Sequence, residues 1–409
     1  MWEQIRANRI KSVLLVSGMA ALLILIGYLL GEAFLGNAIG GVVIALVILV
    51  VMNLVAFFQG DNIMLSLSRA KKIKREDHPR LYNIVEEMKI ASGLEKMPDI
   101  YIVDDPSLNA FATGRDVNKA SVAVTSGLLQ KLNRDELQGV IGHEMAHIKN
   151  RDVLLMTLSG VLLGTIVILS WYGSRMMLFG GMAGGRRSSR SSSGGGQAQM
   201  IIMIVAIVLA ILAPIIAQLI YFAISRKREY MADASSAVFT RYPEGLASAL
   251  EKLGASTVPV KAANKATAPM YIINPFRNKG RAAADLTSTH PPISERIRIL
   301  RSMGGGASLV DYNNAYNTVH KGGRNILGKK TLAGTGAAGI RAAESDAAHV
   351  EKEPEPSKVE RTREVSDLMW RMNKYRTIDC DCGTRLRVPP GLKSNSIRCP
   401  HCGRTHTVR

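Results

Sequence analysis

Residues 140–164 read VIGHEMAHIKNRDVLLMTLSGVLLG. His143 and His147 stand four apart with Glu144 between them, and a long apolar run follows almost at once. On a helix that spacing puts both imidazoles on one face, within reach of a single ion. A helix is expected here. Asn133 is a good N-cap, Glu136 completes a capping-box-like start, and Leu137, Val140 and Ile141 make an apolar stripe. The chain has only eight histidines, so two at this spacing argue against a chance pair on a surface helix.

Zinc takes imidazole nitrogens in a tetrahedral shell, and a catalytic site keeps one position for water. Glu144 is then suited to accept a proton from that water and pass it to a leaving amine. The metal would lower the water's pKa toward 7 and polarise a carbonyl. A third protein ligand is required, and the candidate stretch is SRKREYMADASS, residues 225–236. Glu229 and Asp233 share a helical face there. Glu229 could ligate the ion and Asp233 could hold the distal nitrogen of a ligand histidine. With Arg226, Lys227 and Arg228 alongside, the same stretch also reads as a solvated charged helix end.

Working outward, four stretches are long and apolar enough to span a bilayer: Val13–Leu30, Ala38–Phe58, Val153–Trp171 and Met200–Ile224. The first lacks a small-residue cleavage site and another span follows at once, so it reads as a retained helix. Arg6, Arg9 and Lys11 precede the first span, residues 31–37 carry no Lys or Arg, and a basic run from Arg69 to Arg75 follows the second. The N-terminus and the segment after Phe58 are therefore expected on the cytoplasmic side. Arg186, Arg187 and Arg190, between spans three and four, oppose that rule in a Gly/Ser/Arg-rich loop that reads as a flexible linker. The formal charge of +19 raises the question of nucleic acid, but SRAKKIKRE and SRKRE flank apolar segments, as cytoplasmic loops do. Few aromatics beside many glycines and methionines suit packed membrane helices.

The histidine helix, the apolar hairpin after it and SRKREYMAD together resemble the HtpX-type integral-membrane zinc metalloproteases, relatives of the prenyl-protein endopeptidases. The resemblance runs from about Lys11 to Met303. It implies a zincin-like fold, a catalytic zinc on His143, His147 and Glu229, Asp233 as the partner carboxylate, and Glu144 as base. By the same resemblance NAFATG, residues 109–114, looks like a strand beside the active site. Asn109, Ala110, Phe111 and Ala112 would pair there with an extended substrate; an ordinary core strand is the alternative. In STHPPISERI, residues 288–297, the resemblance gives His290 to the oxyanion, a donor role this chemistry requires. A helix entry at Pro291–Pro292 reads equally from the residues.

All four cysteines lie near the C-terminus. Cys380, Cys382, Cys399 and Cys402 form two pairs in a short, turn-rich stretch that looks like a zinc ribbon. The first pair is Cys-x-Cys, one residue shorter than usual, and a redox dithiol is the alternative. Arg385, Arg387, Lys393 and Arg398 make nucleic acid or an acidic protein a conceivable target for the ribbon alone. The Ala/Gly/Glu/Lys/Pro-rich stretch before it cannot bury enough apolar surface to order itself.

The expected architecture is mainly α, a multi-spanning membrane protein whose catalytic domain carries a small sheet. Residues 11–58 hold two membrane helices, 59–152 a cytoplasmic catalytic region, and 153–224 a membrane hairpin with its loop at 180–198. Residues 225–325 complete the catalytic region, 326–374 form a disordered linker, and 375–409 form the ribbon. The expected activity is zinc-dependent endoproteolysis of damaged or misfolded membrane proteins at the cytoplasmic face of the inner membrane. The expected partners are protein or peptide substrates and the lipid bilayer. A processing peptidase for one substrate, such as a lipidated peptide, is a rival. So is a silent membrane scaffold, although a structural zinc would have no need of Glu144.

Overall fold

The computed structural model describes residues 2–183, 195–259, 271–273, 290–321, 325–326, 332, 355–392 and 394–408. It begins with two long helices, α1 (Trp2–Leu35) and α2 (Ala38–Leu67). Asn37 caps α2, accepting from the Gly40 amide at 3.0 Å. The two helices approach through glycine. A Cβ at Gly41 would fall 2.1 Å from the Gly27 carbonyl oxygen and 2.5 Å from the Gly31 Cα, the small-residue contact that lets apolar helices pack without a water-driven force.

Next come strand β1 (Ala70–Lys72), helix α3 (Pro79–Ser92) and strands β2 (Asp99–Val103), β3 (Ala110–Asp116) and β4 (Lys119–Thr125). They form one mixed sheet in the order β1-β2-β4-β3. Strand β4 runs parallel to β2 and antiparallel to β3, and β1 is antiparallel to β2. Helices α4 (Ser126–Lys131) and α5 (Arg134–Lys149) follow. α5 starts with the capping box read from its sequence: Asn133 Oδ1 accepts from the Glu136 amide at 2.8 Å and Glu136 Oε2 from the Asn133 amide at 2.9 Å.

Helix α6 (Asp152–Ala183) leads back to the apolar layer and α7 (Gly195–Thr240) returns from it. Met19, Leu23 and Ile26 of α1 are buried against Leu162 and Ile166 of α6 and Ala213 and Ala217 of α7. Helices α8 (Pro243–Ala255), α9 (Ile293–Arg301) and α10 (Leu309–His320) close the main core around α5. Gly139 of α5 lies so near α8 that a Cβ there would meet the Leu246 backbone nitrogen at 2.6 Å.

By length and composition, α2 and the Asp152–Tyr172 part of α6 qualify as membrane spans among the described residues, and α1 holds a shorter apolar stretch, Val16–Glu32. Only 17% of the apolar part of α2 is buried by the rest of the chain, leaving Val43, Val47, Val50 and Leu54 exposed. An apolar helix so uncovered is a surface for lipid or a partner. The expected span at residues 200–224 lies within α7, where several side chains fall outside the description.

The structure corrects the expected boundaries. α2 passes Phe58 without a break, and α7 passes residue 224, so membrane and catalytic regions share helices. Of the expected loop at 180–198, residues 184–194 lie outside the described residues and the rest is helical. The expected linker at 326–374 is the larger correction. Residues 327–331 and 333–354 lie outside the description, but helix α11 (Lys358–Met372) is well formed behind a Ser357–Glu360 capping box. Val365 and Leu368, each fully buried, join the main core. The helix stands there because its apolar residues recur three and four apart, a pattern masked by its charged neighbours. Strands β5 (Arg376–Asp379), β6 (Arg385–Val388), β7 (Ser396–Arg398) and β8 (Thr405–Thr407) then form two separate hairpins.

Candidate metal centre

Three elements converge below the apolar layer. α5 brings His143, Glu144 and His147, the end of α7 brings Glu229 and Asp233, the residues just before α9 bring His290, and α9 brings Arg296. All are buried except His147, which is partly open. The Nε2 atoms of His143 and His147 face each other at 3.2 Å. Glu229 Oε2 is 3.5 Å from the first and Oε1 is 3.5 Å from the second. Two ligands in a tetrahedral zinc shell, each about 2.0–2.1 Å from the ion, sit about 3.3 Å apart. The donor set therefore fits zinc. Among the described residues, Glu229 Oε2 and Glu144 Oε1 are buried and accept no hydrogen bond, as oxygens reserved for a cation or a reacting water would be.

The outer atoms of the histidines are held by carboxylates. Asp233 Oδ1 lies 2.9 Å from His143 Nδ1, and Asp152 Oδ2 lies 3.3 Å from His147 Nδ1. With zinc held on the two Nε2 atoms, each Nδ1 would carry the proton and donate outward. Asp152 reaches its position because Arg151 takes a left-handed turn, φ 57°, between α5 and α6.

Four buried carboxylates, Glu144, Asp152, Glu229 and Asp233, need compensating charge, and Arg296 supplies part of it. Its Nε and Nη2 donate to the two oxygens of Asp233 at 2.8 and 2.6 Å, and its Nη1 lies 3.5 Å from Glu229. Burial opposes ionisation of Asp233, but Arg296 holds its carboxyl below the usual range. Burial also favours a neutral His147, yet hydrogen bonds to Asp152 and Glu229 push the ring up to about 10. Such a site holds protons or a metal cation strongly. Burial lifts the Glu144 carboxyl above its ordinary value, the direction that suits a base which must also return a proton. Burial pushes His290 down to about 4, so its ring is neutral near pH 7, with Nε2 3.6 Å from Glu229.

The candidate substrate residues divide. Ala112 lines the cleft beside Glu144, His147 and Met156. Asn109 lies just before β3, and its side-chain Nδ2 donates to the Ile273 carbonyl at 3.3 Å. The Ala110 carbonyl accepts from the Ile272 amide at 3.0 Å, and Phe111 pairs with Tyr271. The edge expected to be open is thus covered by the chain's own residues 271–273 at Asn109, Ala110 and Phe111. Backbone groups alternate along a strand. An outward Ala110 carbonyl therefore turns the Ala112 backbone outward too, and residues 271–273 lie opposite Asn109, Ala110 and Phe111 rather than Ala112.

Arg296, Asp152 and Tyr271 were not singled out in the sequence. Arg296 left a signal: it is a cation among Ile293, Ile299 and Leu300 on the apolar side of its helix. Asp152 left a weaker one, five residues after His147. Tyr271 left none, because its partner strand lies 160 residues away.

The description of peptidase family M48 matches residues 75–304. A protease HtpX homolog from Dictyoglomus turgidum is 46% identical over 311 residues, covering 76% of this chain and 97% of that protein. A protease HtpX homolog from Lactobacillus helveticus is 43% identical over 304 residues, covering 74% and 100%. The crystal structure of Ste24p from S. mikatae aligns at 20% identity with a TM-score of 0.39, over 73% of this chain and 67% of that one.

Proposed function

The chain belongs to peptidase family M48 and is a metalloendopeptidase, and on that premise we propose that it uses zinc to cleave damaged or misfolded membrane proteins at the cytoplasmic face of the inner membrane. The observation that carries the chemistry is the convergence of two imidazole nitrogens and one carboxylate, beside two buried oxygens that accept no hydrogen bond among the described residues. His143, His147 and Glu229 would hold the ion. When bound, zinc polarises the scissile carbonyl and makes water nucleophilic near neutral pH. Glu144 takes the water's proton and delivers it to the leaving amine. The neutral His290 donates to the developing oxyanion. An extended substrate pairs with the outward backbone of Ala112, and the start of α6 forms the wall beneath it.

The membrane reading rests on the largely uncovered apolar face of α2 and on the way α6 and α7 leave the cleft directly for the apolar layer. The basic run after α2 favours the cytoplasmic side for the cleft. A silent scaffold would have no use for a buried Glu144 whose Oε1 accepts no hydrogen bond among the described residues. The test is proteolysis of a membrane substrate by the purified protein and by its Glu144→Gln variant, with zinc measured in both. Cleavage by the variant at the wild-type rate would refute the reading.

A further inference from the structure

The four cysteines lie well beyond the family match. Each pair occupies the turn of its own hairpin, and the two turns share one construction. In β5–β6 the Cys380 amide donates to the Thr384 carbonyl at 2.9 Å and the Gly383 amide to the Cys380 carbonyl at 2.8 Å. In β7–β8 the Cys399 amide donates to the Arg404 carbonyl at 2.8 Å and the Gly403 amide to the Cys399 carbonyl at 2.9 Å. Gly383 and Gly403 both take the left-handed region, φ 84° and 77°, that a side chain would resist.

These turns aim four free thiols at one point. Cys380 Sγ lies 3.5 Å from Cys402 Sγ, Cys382 Sγ lies 3.7 Å from Cys399 Sγ, and all four are within 4.8 Å of one another. Four sulfurs about 2.3 Å from a tetrahedral ion would stand about 3.8 Å apart. Because Asp381 alone separates the first pair, the shorter spacing is absorbed in the turn and the sulfurs still meet.

Among the described residues, few other contacts join the hairpins. They are separate two-stranded sheets, and a lone hairpin is marginal in water. Their shared buried cluster is Cys380, Leu386 and Cys399, flanked by Ile378 and Ile397. The first hairpin is anchored: Arg387 donates to Asp367 on α11, and the Trp370 and Tyr375 rings meet edge to face at 4.4 Å. α11 is fixed in turn to the protease core. Asn373 donates to Asp104 at 2.8 Å, and Lys71 donates to the Met372 carbonyl at 3.2 Å. Among the described residues the second hairpin reaches the first through that small cluster, the sulfurs and an exposed Arg404–Asp381 pair. Some of the described basic side chains have partners within the molecule: Arg385 faces Asp379 and Asp367, and Arg398 donates to the Gly403 carbonyl at 2.9 Å.

We infer that Cys380, Cys382, Cys399 and Cys402 bind one zinc ion in a closed site, and that this ion fastens the β7–β8 hairpin to the protease-docked β5–β6 hairpin. The thiols bind as thiolates and release protons on loading. No position remains for water, so the site is structural.

Metal analysis and hydrogen exchange on the full chain test this. Wild type should hold two zinc ions, one of which is lost in Cys399→Ser/Cys402→Ser and the other in His143→Ala/His147→Ala. In the cysteine variant, exchange protection should vanish across residues 396–407 and persist across 358–372. An unchanged zinc count in the cysteine variant would overturn the inference. So would iron in place of zinc, or a disulfide found by alkylation and mass spectrometry. Failure of the catalytic reading would look different: wild type would hold one ion, removed only by the cysteine changes.

Discussion

The two candidate metal centres are built in opposite ways. The protease centre gathers side chains from α5, α6, α7 and α9, buries them, and sets four carboxylates against Arg296 and the ion it would hold. The cysteine centre is made by two tight turns, stands near the surface, and has almost no apolar core around it. In the first, the fold positions the ligands, and metal affinity is set by partners such as Asp233. In the second, the ion does the work of a core. Loss of metal should therefore leave the protease fold standing and undo the second hairpin.

The sharpest way to break this contrast is at Glu144, which touches the chemistry without holding the ion. Glu144→Gln should lower kcat/KM by about 10²–10⁴-fold, the range of a lost general base, with both zinc ions retained. Rates close to wild type would mean that the buried, unpartnered oxygen of Glu144 has another purpose.

Arg296 tests whether the protease centre is balanced by the fold itself. Arg296→Leu strands Asp233 and Glu229, and removing one partner of a buried pair costs about 3–5 kcal/mol. Unfolding of the detergent-solubilised protein reads the loss. Adding Asp233→Asn should recover part of it, whereas full additivity would show that the two side chains are not coupled.

Helix α11 tests where the protease core ends. Leu368 is fully buried, and Leu368→Ala should cost about 2–5 kcal/mol in the main unfolding transition. The curated relatives match over 97–100% of their own length but only about three quarters of this chain. An unchanged transition would make α11 an appendage to a core that stands without it. Asp233→Asn should then cost less, about 10–100-fold in zinc affinity, measured by competition with a chelator. No loss there would mean that His143 keeps its orientation by packing alone.

The same contrast explains what was legible in the sequence. A pattern could be read wherever it closes over a short span: the capping box at Asn133, the histidine pair one helical turn apart, the paired cysteines. Glu229 needed its spacing to Asp233 together with a family resemblance, because 82 residues separate it from His147. Arg296 was visible only as a cation on an apolar helix face. The cover that residues 271–273 place over β3 was not visible at all, since strand pairing at such separation leaves no local period. α11 was missed for a different reason. The stretch around it is dominated by charge, and its apolar residues suffice for a helix only when another surface receives them.

The smallest expected effect concerns the tie between α11 and the first hairpin. Asp367 faces Arg387 and Arg385, but its side chain is 42% exposed and that of Arg385 is 56% exposed. Arg385 also has Asp379 as a second partner. Water and salt screen such a pair, and its net value is about 0–1 kcal/mol. Asp367→Asn should therefore shift the exchange protection of residues 376–388 by less than tenfold and leave both zinc ions in place. The Trp370–Tyr375 contact remains to hold the hairpin against the helix. In Cys399→Ser/Cys402→Ser, by contrast, the second hairpin should lose its protection altogether. If Asp367→Asn released the ribbon as completely as the cysteine changes do, charge rather than metal would be holding this end of the molecule together, and the effect should then weaken in high salt.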